Sequence, residues 1–340
     1  MAIYRVAGGL NFTMSLKKNV FLWTYWHPLR KFIQSIPAPV AYSLARIAGV
    51  TLYYTAQGKR KTLEDEFRTV FQDHSYDKIM RKAVKRTFVN LCQSEAEMMQ
   101  YPNMNGKNIR CFVECPSFEN LNKGLDAGKG AMLLFAHFGA NQMVMPAVGY
   151  NGYRMSQMSA PATVWEEKLP NRRFSPMEKK GLELRWSQEL SLPVKHINIF
   201  GSMKGAFQCL RKNEILGIAL DGGGGSSRVE VDFLGKKAFF STGALNIALR
   251  TKCAVLPTFM IRYSNGMNKL IIEGPIDFEC DEDPIKKGTQ VFAMRLEEYV
   301  KRYPCHYLNF LALRKLMEKN GDPPFLIDPN DNEITLRNAS

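Results

Sequence analysis

The hydrophobic and polar positions between residues 59 and 100 recur at helical spacing. Apolar side chains stand three or four positions apart, and charged side chains fill most of the positions between them. A polar stretch at residues 72–76 interrupts this pattern. The sequence therefore predicts two amphipathic helices, one on each side of the interruption, in a helical subdomain over residues 59–108.

The pattern changes after residue 108, where short apolar runs alternate with helical stretches. The run AMLLFA at residues 131–136 follows the turn-like LDAGKG and has the length of a buried strand. This alternation is typical of an α/β sheet with parallel strands, so we predict an α/β core over residues 109–320 and a polar loop over residues 321–340. The other predicted strands are 153–159, 194–200, 215–220, 254–263 and 269–273, and the clearest helices are 202–213 and 243–251.

Aromatic and basic side chains alternate in residues 16–36. Trp23 and Trp26 are followed closely by Arg30 and Lys31. Such a composition is typical of a segment at the headgroup boundary of a membrane. A first helix packed on the core is the alternative interpretation.

The run from Val40 to Tyr54 is strongly apolar and carries one charge, Arg46. Two prolines at its start and this charge near its middle favour a helix that lies in the membrane interface over one that spans the membrane. We therefore predict that residues 1–58 form membrane-associating helices. The apolar stretch before Lys17 is short and interrupted, so we expect no cleaved signal peptide.

The net charge limits the kinds of binding partner that we expect, and the spacing of the cysteines limits the kinds of metal site. The 46 Lys and Arg residues exceed the 32 Asp and Glu residues, giving a net charge of +14 that favours an anionic membrane surface or a phosphate-bearing substrate. We expect no nucleic-acid binding, because the sequence contains no recognition module. The seven scattered cysteines show no metal-ligand spacing, so we expect reduced thiols and no metal site.

His137 is the best placed of the five histidines for chemistry. It follows the predicted strand AMLLFA directly, and ligands and catalytic groups gather at the carboxyl ends of strands in α/β sheets. An imidazole titrates near neutral pH and suits the role of general base. A lone histidine is also often structural, so this position alone does not decide the function.

Four segments resemble one enzyme family in the same order along the chain. FAHFGANQ (135–142) resembles the H-x-x-x-x-D/E motif of the lysophospholipid acyltransferase-like superfamily. Residues 35–67, 220–262 and 303–315 resemble the N-terminal helices, the second block and the closing aromatic-basic segment of its lipid A and phosphatidylinositol mannoside acyltransferase branch. The resemblance covers roughly residues 30–318.

This resemblance implies a fold, an activity and a location. The fold is a glycerolipid acyltransferase-like mixed sheet flanked by helices. The activity is transfer of an acyl chain from acyl carrier protein or coenzyme A, used as co-substrate without a further cofactor, to a hydroxyl of a membrane lipid or glycolipid. His137 takes the position of the general base. The implied location is the cytoplasmic face of the inner membrane.

The sequence departs from the family motif five residues after His137, where Gln142 replaces the acid. The Gln142 amide can accept a hydrogen bond from the ring but brings no charge to stabilise the imidazolium. Asp221, at the end of a predicted strand, and Glu230, in the run VEVDF, are the candidates to supply the missing carboxylate. Glu230 also fits an ordinary half-buried strand.

Candidate anion-binding residues surround the second block. Arg228 supplies a cation, and Ser241 and Thr242 precede a predicted helix that begins at Gly243. The amino end of a helix can bind a phosphate or an oxyanion. We expect these four residues to contact substrate.

Two other functions remain open at this point. A lipid-binding or assembly protein would keep the fold without the activity, and Gln142 is the argument for it. A peripheral hydrolase would use His137 on ester or phosphate substrates, although no G-x-S-x-G motif is present.

Overall fold

The computed structural model of the protein describes residues 12–71, 77–115, 117–168, 173–222, 227–278 and 280–328. The helices of the amino-terminal part are α1 (Phe12–Thr24), α2 (Arg30–Ser35), α3 (Ala38–Thr55), α4 (Gln57–Phe71) and α5 (Asp77–Gln100), with a π-helical turn at Tyr25–Leu29. Those of the remaining chain are α6 (Glu119–Asp126), α7 (Val144–Gly149), α8 (Val164–Lys168), α9 (Pro176–Glu189), α10 (Lys204–Arg211), α11 (Gly243–Thr251), α12 (Pro284–Arg302) and α13 (Leu308–Lys319).

A seven-stranded mixed sheet forms the centre of the core, in the order β1-β9-β8-β2-β5-β3-β4. Strands β8, β2, β5, β3 and β4 are parallel, and β9 pairs antiparallel with β8. These strands are β1 (Val113–Glu114), β2 (Ala131–Phe135), β3 (Met155–Ser159), β4 (Lys195–Asn198), β5 (Ile215–Ala219), β8 (Ala254–Arg262) and β9 (Asn268–Ile272). The predicted α/β class with a mixed sheet is confirmed.

The central strand β2 is buried along its whole length, as its unbroken apolar sequence predicts. Helices cover both faces, since side chains of opposite faces of β2 belong to two separate apolar clusters. Leu133 lies in one cluster and Leu134 in the other. All six predicted strands and both predicted core helices are present, with ends shifted by one or two residues. The predicted break between helices at residues 72–76 lies outside the described residues.

A second, three-stranded antiparallel sheet joins two distant parts of the sequence. Its strands are β6 (Arg228–Phe233), β7 (Lys236–Ser241) and β10 (Leu326–Ile327), in the order β10-β7-β6. The expectation of a loop beyond residue 320 is wrong here, because Phe325 is buried and the following two residues pair with β7. Phe325 and Leu326 pack against the core, and Asp328 pairs with Lys236 at 2.7 Å, so a short apolar run and one ion pair hold this segment in place. Residues 329–340 lie outside the description.

The amino-terminal helices pack on the core through one face. On α3 the buried face includes Ala41, Tyr42 and Ala45, and the hydroxyl of Tyr42 donates to the Glu97 carboxylate on α5 at 2.7 Å. Among the helices in the described ranges, none is both long and apolar enough to cross a membrane.

The structure corrects one of the predicted membrane-associating residues. Trp26 is 1% exposed and packs edge-on against Tyr25, so it belongs to the core. Trp23 is 54% exposed and Lys31 is also exposed, whereas Arg30 is half-buried and donates to the carbonyl of Trp26. Four positions separate Trp26 from Arg30, so the two stand on neighbouring turns of the helix.

Candidate active site

The sheet register brings His137 and Asp221 together. Strands β2 and β5 are parallel neighbours, and Phe135 pairs with Ala219 at their carboxyl ends. His137 and Asp221 each stand two residues beyond this pair, so they leave the sheet at the same point of its edge. The backbone supports the arrangement, because the Leu220 amide donates to the Phe135 carbonyl at 2.9 Å.

The side chains of His137 and Asp221 form a direct hydrogen bond. The ring Nδ1 lies 2.7 Å from Oδ1 of Asp221, and the backbone amide of His137 donates to Oδ2 at 2.8 Å. Asp221 is buried, whereas the His137 side chain is 45% exposed. With its proton on Nδ1, the ring presents Nε2 as an acceptor, and no described residue bonds to that atom.

Two aromatic residues complete the surroundings of the pair, and the sequence did not identify either of them as a site residue. The Tyr307 hydroxyl donates to Oδ2 of Asp221 at 2.9 Å, and the Phe310 ring stacks on the imidazole with 5.0 Å between centroids. Both belong to the closing aromatic-basic segment. The resemblance of that segment to the family could have pointed to these residues. It contains several aromatic residues, however, and the sequence does not reveal which of them contact the dyad of His137 and Asp221.

The charge balance around the ring favours its protonated form. Loss of solvent around the ring acts to lower the pKa of His137, because it disfavours the charged form. The charge and the hydrogen bond of Asp221 outweigh this effect and raise the pKa above its ordinary value of 6.5. The Arg314 guanidinium acts weakly in the opposite direction. Burial raises the pKa of Tyr307 well above its usual range, so its hydroxyl stays protonated and donates to Asp221.

The glycine that follows Phe138 fixes the turn that carries His137. Gly139 has a positive φ of 62°, and a Cβ atom there would lie 1.8 Å from the carbonyl oxygen of Met260. Its amide donates to the carbonyl of His306 at 2.9 Å. Phe138 is buried and stacks on the His306 ring, so the His137 backbone is held between strand β8 and the turn before α13.

His306 serves as a neutral structural histidine beneath this turn. Its Nε2 accepts from the backbone amide of Arg262 at 2.8 Å. Burial, together with the nearby Arg262 and Arg86 charges, lowers the pKa of His306 to about 3. The ring is therefore uncharged at neutral pH.

Neither of the other two candidate partners forms a hydrogen bond or an ion pair with the ring. Gln142 lies in a short 3₁₀ turn and is half-buried, and no hydrogen bond joins it to His137. Glu230 is exposed on β6, 3.8 Å from the Lys237 ammonium. Of the three side chains considered as partners for His137, the structure thus brings only Asp221 to the ring, because the β2–β5 register aligns these two residues alone.

The four predicted substrate-binding residues gather at one end of the β6–β7 ladder. Arg228 pairs with Ser241, and the Thr242 amide donates to the carbonyl of residue 227. Gly243 is exposed and begins α11. This end of the ladder adjoins the dyad, since the Ser241 amide donates to the carbonyl of Leu220 at 3.2 Å.

Metal ligands do not cluster in the part of the chain that the structure describes. No group of three or more His, Cys, Asp or Glu side chains there has an arrangement suited to a metal ion. The side chains described above supply the site with a base, a carboxylate and a hydroxyl donor.

Comparison with known proteins assigns the chain to a family. The model of the bacterial lipid A biosynthesis acyltransferase family matches residues 13–315, which includes the dyad and both aromatic residues around it. No curated protein matches the chain.

Proposed function

Because this chain belongs to the bacterial lipid A biosynthesis acyltransferase family, and is therefore an acyltransferase, we propose that it uses His137 as the general base of acyl transfer. The donor in this proposal is an acyl thioester of acyl carrier protein or coenzyme A, and the acceptor is a hydroxyl of a lipid or glycolipid. The hydrogen bond from Nδ1 to Asp221, which leaves Nε2 open, is the observation that carries the proposal.

In the proposed reaction His137 begins as a neutral ring. Nε2 takes the proton of the acceptor hydroxyl while its oxygen attacks the thioester carbonyl carbon. The resulting tetrahedral intermediate collapses with cleavage of the carbon–sulfur bond, and the imidazolium returns its proton to the leaving thiolate. The products are an ester and a free thiol. Asp221 orients the ring and stabilises the imidazolium while it exists.

The position of Asp221 weakens the case for a non-catalytic protein. That alternative depended on Gln142, which brings no negative charge to the ring. A buried carboxylate at 2.7 Å from Nδ1 provides the same electrostatic support from a different part of the chain. This contact favours a working dyad.

We further propose that the protein associates with the cytoplasmic face of the inner membrane through α1–α3. The distribution of exposed apolar surface supports this proposal. Of the large hydrophobic side chains that are exposed in the described chain, eleven lie between residues 16 and 54 and five lie elsewhere. The eleven are Leu16, Val20, Phe21, Trp23, Leu29, Phe32, Val40, Leu44, Ile47, Leu52 and Tyr54.

The test is an assay with labelled acyl thioester and a bacterial membrane lipid extract. We expect label in a lipid product with the wild-type protein and a loss of about 10²–10⁴ in rate with His137→Ala. Release of free fatty acid would indicate a hydrolase, and an unreacted donor would indicate a non-catalytic protein. His196→Asn is the matched control, since this histidine lies on the edge strand β4 and contacts Ser159 and not the dyad.

A further inference from the structure

Two arginines near the dyad carry buried nitrogen atoms that have no hydrogen-bond acceptor. They are Nη1 of Arg228 and Nε of Arg314. Arg314 is 5% exposed, and its guanidinium makes one long hydrogen bond, 3.3 Å from Nη2 to the carbonyl of Pro323. Within the described residues no ion pair joins either arginine to a carboxylate. Buried charged donors without acceptors are rare in folded proteins, because their desolvation is costly.

Both arginines approach the dyad, from different elements. Arg228 begins β6 opposite Ser241, whose amide donates to the residue before Asp221. Arg314 stands four positions after Phe310 on α13, and therefore on the same face of the helix as the ring that stacks on His137. The two arginines thus stand on the small sheet and on α13, the two elements that adjoin the dyad, and Arg314 interacts electrostatically with Asp221.

Their charges lie close enough to repel each other. Burial lowers the pKa of Arg314, and the Arg228 charge lowers it further. The Asp322 and Asp221 carboxylates are also near and act to raise the pKa of Arg314, but within the described residues neither forms an ion pair with it. The two oxygens of Asp221 are already engaged by His137 and Tyr307. An anion bound by both guanidinium groups would satisfy the free donors and remove the repulsion.

We propose that Arg228 and Arg314 bind a phosphate group of a substrate beside the dyad. A guanidinium group presents paired N–H donors that match two oxygens of a phosphate, so two of them form a strong phosphate site. The inference rests on the proposed acyl transfer, because it names a chemical group of the substrates of that reaction. Both types of acyl donor carry a phosphate in the pantetheine arm, and a phosphorylated glycolipid acceptor offers the same chemistry.

Calorimetry with inorganic phosphate at low ionic strength tests the site without turnover. We expect the wild type to bind phosphate, and Arg228→Met and Arg314→Met each to weaken this binding about ten-fold or more. If Arg314→Met does not fold, Arg314→Lys keeps the charge without the paired donors and should weaken binding by less. Arg250→Met is the matched control, since it removes the same charge from a basic cavity lined also by Lys129 and Arg211.

Kinetics then identify the source of the phosphate. A rise in KM for acyl phosphopantetheine, but not for acyl pantetheine, in Arg228→Met would assign the site to the donor. A rise in KM for the acceptor alone would assign it to the acceptor. Phosphate affinity that is unchanged in the Arg228 and Arg314 variants, that falls equally in Arg250→Met, or that is absent in the wild type would overturn the proposal.

The same measurements separate this site from the proposed activity. His137→Ala should lose acyl transfer and keep the wild-type affinity for phosphate. A wild-type protein that binds phosphate through the two arginines but transfers no acyl chain would disprove the proposed function and leave the phosphate site standing.

Discussion

At the scale of single residues, the two nitrogens of His137 have opposite environments. Nδ1 faces the buried Asp221 carboxylate, and Nε2 is open to a substrate. The carboxylate raises the pKa of His137 above 6.5. The ring is therefore a stronger base, but it also stays protonated up to a higher pH. Because only the neutral ring can accept a proton, activity should rise with pH through a pKa above 6.5.

This account predicts the direction of a pH shift in Asp221→Asn. Loss of the carboxylate removes the interaction that raises the pKa of His137, so the acid limb of kcat/KM should move to lower pH while the maximum rate falls. The measurement is a pH–rate profile of both proteins between about pH 5 and pH 9. An acid limb that stays in place or moves to higher pH in the variant would refute the electrostatic role of Asp221.

The turn after His137 predicts a stability difference between two glycine substitutions. Gly139→Ala adds a Cβ against the Met260 carbonyl and should cost roughly 3 kcal/mol or more. Gly128→Ala also places alanine at a positive φ, but nothing lies within 4 Å, so it should cost about 1 kcal/mol. Urea unfolding of both variants measures the difference. Equal losses of stability would mean that the close approach at Gly139 has no energetic weight.

At the scale of elements, α1–α3 combine a face that packs on the core with a face of exposed apolar side chains. The sequence predicted these helices and the mixed character of their residues. It did not predict that Trp26 would be buried, because an aromatic stripe has the same pattern whether it faces lipid or protein.

The sequence also indicated that His137 and Asp221 stand at the ends of strands. It did not reveal that β2 and β5 are neighbours, because the order of strands in a sheet depends on long-range pairing.

The exposed face of α3 predicts a loss of membrane binding on substitution. Leu44→Gln combined with Ile47→Gln removes exposed apolar side chains without disturbing the buried face, so the fraction that sediments with anionic vesicles should fall several-fold. The matched control is Leu190→Gln with Met294→Gln, since both side chains are exposed outside α1–α3. Equal effects of the two pairs would count against α3 as the membrane surface.

At the scale of the whole molecule, the candidate site is assembled from distant segments. His137 follows β2, Asp221 follows β5, Tyr307 directly precedes α13 and Phe310 lies in its first turn. The family acid that the motif leads one to expect is replaced by Gln142, and the fold supplies a carboxylate from the neighbouring strand. The net charge of +14 suits both the anionic membrane and the phosphate-bearing substrates proposed for the enzyme.

The central claim is that His137 works with Asp221 and not with the residue at the motif position. The most direct test measures the rate of acyl transfer to a lipid acceptor in Asp221→Asn and Gln142→Leu, side by side with the wild type. We predict that Asp221→Asn lowers the rate about a hundred-fold or more, whereas Gln142→Leu stays within a few-fold of the wild type. The opposite order, with Gln142→Leu inactive and Asp221→Asn near the wild-type rate, would contradict the account.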